Sequence, residues 1–171
     1  MLNLRLLANL FTVLILVLLQ GMIFSKISFA QLAMPYIYVL FILLYHPNKN
    51  RYIFLLLCFL LGWGVDLFED TGGIHALASI TMGYLSKYMV RVVAGTRFFE
   101  VEEFHFSDFN VGQWLVYTVV LVFTHHFILF FFENFSFSNL EAVLLRAVYS
   151  MVFTLLFVYF YLILFRKKAQ R

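Results

Sequence analysis

Apolar runs close to the thickness of a bilayer core alternate with short polar connections along the 171 residues of this chain. The first run, 6–24, follows Arg5 and holds 19 uncharged residues. A signal-peptide core has only about 7–15, so this run is expected to remain as a helix, although Ser28 and Ala30 resemble a cleavage site. The second, 29–45, contains Pro35, which a helix accepts in its first turn, where the missing N–H has no partner. It is short for a span of ~20 residues. It should therefore draw in residues from position 27 onward, lie in thinned bilayer, or be buried by its neighbours.

Beyond the breaker His46-Pro47-Asn48-Lys49-Asn50-Arg51, a third run covers 52–68, interrupted only by Gly62, Gly64 and Asp66. The acidic turn Glu69-Asp70-Thr71-Gly72-Gly73 leads into a fourth segment, 74–94, softened by His75, Ser79, Thr81 and Gly83. Such small and hydroxyl residues allow close helix contact in lipid, which predicts a bundle-facing helix. The polar stretch 95–112 shows neither a helical nor a strand period. A fifth run, 113–132, carries the adjacent His125 and His126. A sixth, 147–165, is uncharged and is preceded by Ser138-Asn139-Leu140-Glu141, a capping box that should start the helix well before the hydrocarbon. The first turns should project ~10 Å beyond it. The pattern predicts an all-α fold: one integral membrane domain, 1–171, with six spans near 6–24, 29–45, 52–68, 74–94, 113–132 and 147–165, and a loop at 95–112.

Composition agrees. With 64% hydrophobic, 20% aromatic and 12% charged residues, too little polar surface exists to cover a water-soluble globule. One cysteine, Cys58, excludes a disulfide framework or a thiol metal cluster. The net charge of +3 is a topology signal rather than a nucleic-acid footprint. On a six-span topology, Lys26 and Arg146 lie on one side and the other ten of the 12 Lys and Arg on the opposite side. The positive-inside rule then places both termini in the cytoplasm.

Asp66 stands out, because a carboxylate within a span costs up to ~3 kcal/mol at mid-bilayer and needs compensation. Arg146 should lie at the same depth on the sixth helix, which suggests an ion pair; contact with headgroup water, or a proton or substrate site, are the other readings. Gly62 and Gly64 suit close helix packing. His75 follows the Gly72-Gly73 turn, where an imidazole can bond to the acidic loop or respond to pH. His125 and His126 diverge by about 100° on a helix and cannot jointly chelate an ion as an i, i+4 pair can. No P-loop, nucleophile elbow or H-E-x-x-H is present, so no catalytic residue, metal ligand set or cofactor is expected. Phe98, Glu102, Phe104, Phe106 and Phe109 form an acidic, aromatic loop that anionic lipid would repel; it suits either a partner protein or the chain's own bundle.

The run Gly62-Trp63-Gly64-Val65-Asp66-Leu67-Phe68, followed by Gly73-Ile74-His75-Ala76 and later Tyr84, resembles the MreD family of rod-shape-determining membrane proteins. Gln20-Gly21 closing the first run, and Pro35 with Tyr38 opening the second, extend the resemblance over residues 1–165. It implies a six-helix bundle similar to the substrate-binding subunits of energy-coupling-factor vitamin transporters. It also implies a non-enzymatic scaffold in the bacterial cytoplasmic membrane that associates with an MreC-like bitopic protein. Through it, MreB filaments are linked to RodA and its transpeptidase partner in peptidoglycan synthesis and cell-shape control. Gly62, Asp66, Gly73, His75 and Ala76 are then signature positions without catalytic roles, and the longer, more acidic 95–112 connection departs from the family's usual basic link. A vitamin-type transporter subunit is the alternative; for it Thr118, Thr124, Tyr149 and Thr154 are the best polar groups on offer.

Overall fold

The computed structural model describes residues 4–27, 33–45, 50–95, 109–134 and 139–165. It contains α1 (Leu4–Met22), a 3-10 turn (Phe24–Lys26), α2 (Val39–Leu44), α3 (Arg51–Glu69), α4 (Ile74–Ala94), α5 (Val111–Asn134) and α6 (Leu140–Phe165). No strand element occurs among the described residues. Helices dominate because within hydrocarbon every backbone polar group needs an internal partner.

Four stretches are long and apolar enough to cross a bilayer: Leu4–Lys26, Arg51–Glu69, Val111–Asn134 and Leu140–Leu164. The expected six spans are thus only partly met. At 21 residues α4 has the length, but His75, Ser79, Ser86 and Lys87 reduce its apolarity. Residues 29–45 differ most from expectation, since among those described only the six residues of α2 are helical.

Packing accounts for that short helix. The long helices contact in chain order, α1 on α3, α3 on α4, α4 on α5 and α5 on α6. Phe24, after α1, meets Phe157 of α6 edge to face at 5.4 Å. Segment 33–45 lies among them, with Tyr38, Val39 and Ile42 fully buried. It runs from one end of α3 to the other. Its start bonds to Gln20 near the end of α1, and Tyr38 reaches His75 beside the end of α3. Its end stacks Tyr45 on Phe54, in the first turn of α3, at 4.3 Å.

Backbone that is not helical survives at such depth only when protein groups satisfy it. Here the partners are side chains from two long helices. Ser150 Oγ accepts the Met34 N–H at 3.1 Å, Thr154 Oγ1 the Tyr36 N–H at 3.0 Å, and Gln20 Oε1 the Ile37 N–H at 3.0 Å. Gln20 also donates to the Pro35 carbonyl at 3.3 Å. The buried polar residues of α1 and α6 therefore exist to carry a broken segment through the bundle.

Helix ends are capped locally. Asn50 Oδ1 accepts the N–H groups of Tyr52 and Ile53 at the start of α3. Asn110 and Gln113 bond reciprocally at 2.8 and 2.9 Å to open α5, a capping box made of amides. Gln113 Nε2 also donates to the Val93 carbonyl at 2.9 Å, joining α5 to the end of α4. The capping box expected at 138–141 begins at Ser138, outside the described residues, while α6 starts at Leu140.

Candidate functional site

The turn between α3 and α4 is built around one carboxylate. Asp66 is 5% exposed, so it does not reach open water. Its Oδ1 accepts the His75 N–H at 2.9 Å and the Thr71 hydroxyl at 2.5 Å, and its Oδ2 accepts the Ala76 N–H at 2.9 Å. These N–H groups belong to the first turn of α4, where donors lack intrahelical partners and the helix dipole favours negative charge. Asp66 thus caps a neighbouring helix from within its own. Gly73, at φ 102°, makes the bend before α4.

The expected Asp66–Arg146 ion pair does not form. Arg146 Nη1 instead reaches Glu133 Oε1 at 3.3 Å, with its guanidinium 4.6 Å from the centre of the Phe130 ring. Matching depth was insufficient because the two residues face different neighbours: Asp66 turns toward α4, and Arg146 toward α5.

Close approach explains the glycines. A Cβ on Gly62 would lie 2.4 Å from the His75 carbonyl oxygen and 2.5 Å from the Ala76 Cα, so only hydrogen lets α3 and α4 meet there. On Gly64 it would lie 2.8 Å from Val17 Cγ2 of α1. Phe68 is half exposed and covers Gly21 of α1. Tyr84 is remote from this corner; Arg51 of α3 sits 4.5 Å over its ring, and its hydroxyl is 3.2 Å from that of Tyr88. Of the residues that carry the resemblance, Gly62, Asp66, Gly73, His75 and Ala76 therefore form one corner cluster, and Gly64 and Phe68 serve the α1–α3 contact.

Behind that corner lies a fully buried aromatic cluster. His75 Nε2 is 3.1 Å from Glu69 Oε2, and its Nδ1 is 2.9 Å from the Tyr38 hydroxyl. The same hydroxyl is 2.7 Å from His125 Nε2. The Tyr36 ring touches three imidazoles, with centroids 5.4 Å from His75, 6.2 Å from His125 and 5.3 Å from His126. His126 has a fixed tautomer. Its Nδ1 faces the Val122 carbonyl at 2.8 Å and must donate, so in the neutral ring Nε2 accepts, at 3.0 Å, from Thr154, whose oxygen already takes the Tyr36 N–H.

The adjacent histidines are both buried, with ring centroids 5.3 Å apart, because α5 packs between α4 and α6. Among the described residues no group of three or more His, Cys, Asp and Glu is placed to hold a metal ion. Of the four polar groups considered for a solute, only Thr154 joins this cluster. Thr118 bonds to Tyr159 at 2.8 Å, Thr124 to its own helix, and Tyr149 is half exposed. The sequence reading missed Tyr36 and Ser150, and gave Gln20 and Tyr38 no role beyond the resemblance. Their signal was a polar group inside an apolar run, the kind of position that faces the bundle interior.

Of the acidic, aromatic loop, Phe109 is described: it is buried, edge-on to Trp114 at 5.8 Å. Phe98, Glu102, Phe104 and Phe106 lie outside the described residues. A separate cavity of about 370 Å³ opens between α1, α2 and α6, lined by Asn9, Thr12, Leu16, Leu40, Phe41, Leu44, Tyr45 and Tyr161. No known protein family, curated protein or solved structure matches the chain.

Proposed function

We propose that the chain is a non-enzymatic membrane scaffold of the MreD type, which joins an MreC-like bitopic protein to the wall-synthesis enzymes RodA and its transpeptidase partner, and indirectly to MreB filaments. In this reading it lies in the bacterial cytoplasmic membrane with both termini inside, and the broken 33–45 segment provides the second of six crossings. The six-span bundle, and its likeness to the vitamin-transporter subunit fold, belong to the same proposal.

One observation carries it. The signature residues are used on one another: Asp66 on the backbone of His75 and Ala76, Gly62 on the approach of α4. A motif spent in this way fixes a rigid α3–α4 corner, which suits a protein whose work is to hold partners. Helix association in lipid rests on close packing and scattered polar contacts of about 0.5–2 kcal/mol each, so partner binding needs broad surfaces. The exposed apolar residues of α6, among them Leu145, Val152, Leu156 and Phe160, offer one.

The test is depletion in a rod-shaped host. Cells should round up, and the MreC-like protein should cease to co-purify with the wall-synthesis enzymes; unchanged shape and partners overturn the reading. The 370 Å³ cavity favours one alternative, a vitamin-type transporter subunit, because small-molecule pockets start near 300 Å³. Protein purified with a retained solute, identified by mass spectrometry, supports that alternative.

A further inference from the structure

The Tyr38 hydroxyl has a single proton but two imidazole partners, so it donates to one ring and accepts from the other. With Glu69 ionised and His75 neutral, one assignment satisfies the whole chain. His75 donates from Nε2 to Glu69, Tyr38 donates to His75 Nδ1, and His125 donates from Nε2 to Tyr38. His125 Nδ1 is then a bare acceptor, and among the described residues it has no hydrogen-bond partner, although the ring is fully buried. At the other end the Glu69 side chain is 15% exposed beside the 70–73 turn, although its Oε1 is buried without a hydrogen-bond partner.

We propose that Glu69, His75, Tyr38 and His125 form a proton-transfer site linking the α3–α4 turn to the middle of the bundle, with His125 Nδ1 as its inner terminus. The steps balance. A hydronium ion that reaches His125 Nδ1 leaves its proton there and departs as water, which lets the Nε2 proton pass to the Tyr38 oxygen, as the hydroxyl's own proton passes to His75 Nδ1. His75 then carries both ring protons and a positive charge beside the Glu69 carboxylate; transfer of its Nε2 proton to Glu69 neutralises both. One proton has entered at His125 and one has arrived at Glu69, both rings have changed tautomer, and no heavy atom needs to move. The reverse sequence carries a proton inward. The charge rests at the His75 end, because only that ring has a carboxylate against it. Chains of acidic and histidine residues in membrane interiors serve as proton relays, so the chemistry fits the place.

The surroundings leave this path distinct. On α3, both oxygens of Asp66 are occupied by the N–H groups of α4 and by Thr71. On the 33–45 segment, Tyr36 contacts the rings only through its face and edge. On α5, His126 is held by Val122 and Thr154, and Glu133 is paired with Arg146 of α6. From α1 the buried neighbour is Gln20, which does not titrate. Ser79 Oγ on α4 is buried beside the Tyr38 hydroxyl and adds no charge.

The test is nitrogen NMR of the full chain, labelled at histidine and reconstituted in bilayers, with signals assigned by His75→Gln and His125→Asn. In the unaltered protein, the step in which His75 gains its second N–H should coincide with exchange of the His125 proton from Nε2 to Nδ1. In Tyr38→Phe the His75 step should persist and the His125 exchange should be lost. Absence of a common step in the unaltered protein overturns the proposal, even if the variant fails to fold. A His125 exchange that survives in a folded Tyr38→Phe also overturns it.

Discussion

Asp66 Oδ2 lies 2.9 Å from the Ala76 backbone nitrogen, so the last turn of one helix closes the first turn of the next. Asp66→Ala strips that acceptor and leaves the N–H groups of His75 and Ala76 buried without partners, which should destabilise the protein by about 3 kcal/mol. Asp66→Asn keeps one acceptor oxygen but sets an amide NH2 against the other N–H, and should fall between the two. Reversible unfolding in mixed micelles, followed by helicity, measures both. An alanine variant as stable as the original removes the cap from the account of this corner.

Gly62 and Gly64 should respond unequally to alanine. The new methyl at 62 strikes backbone atoms of His75 and Ala76, which can yield only if α3 and α4 separate. At 64 it strikes the methyl groups of Val17, on a helix that is largely exposed on its other faces. Overpacking costs about 1–3 kcal/mol; Gly62→Ala should lie at or above the top of that range and Gly64→Ala near its foot. The same micelle unfolding ranks the pair, and equal losses mean that α1 is held as rigidly as α4.

Where the sequence was legible, the reason was local. Helices α3 and α4 fall within a residue of the expected 52–68 and 74–94, because apolar length, the Asn50 cap and the double glycine all act within a few residues. Gly62 was also visible as a packing position, whereas Asp66 stood out without its role, because its partners are backbone N–H groups nine and ten residues on. What escaped was long-range. Hydropathy cannot distinguish a helix from the irregular stretch before α2, because both are apolar; the difference lies in Gln20, Ser150 and Thr154, up to 118 positions away. Tyr38 likewise meets His125 across 87 positions, and a periodicity tells only which face is inward, not which residue waits there.

Those distant partners make the broken segment testable. Thr154→Val removes the acceptor of the Tyr36 N–H and the donor to His126 Nε2, and Gln20→Leu orphans the Ile37 N–H. Each should cost about 1–3 kcal/mol. Thr81→Val, at a hydroxyl that bonds only to the Leu77 carbonyl of its own helix, should stay within about 0.5 kcal/mol. Amide exchange at Tyr36 and Ile37 adds a direct reading: protection should fall in the first two variants and hold in the third. Unchanged protection in Thr154→Val contradicts the threaded arrangement.

Arg146 provides a test between two partners. It bonds to Glu133 at 3.3 Å, with side chains 25% and 38% exposed, whereas Asp66 is committed to α4. An ion pair this open is worth about 0.2–1 kcal/mol. Exchanging the charges as Glu133→Arg with Arg146→Glu should therefore recover most of what either single reversal loses, less the contact of the guanidinium with Phe130, itself about 0.5–1 kcal/mol. The combination Asp66→Arg with Arg146→Asp should be at least as unstable as Asp66→Arg alone, because no arginine can accept the N–H groups of His75 and Ala76. Double-mutant cycles on unfolding free energies give both couplings. A favourable coupling to Asp66 and none to Glu133 would return the carboxylate to the membrane-depth pairing and deprive α4 of its cap.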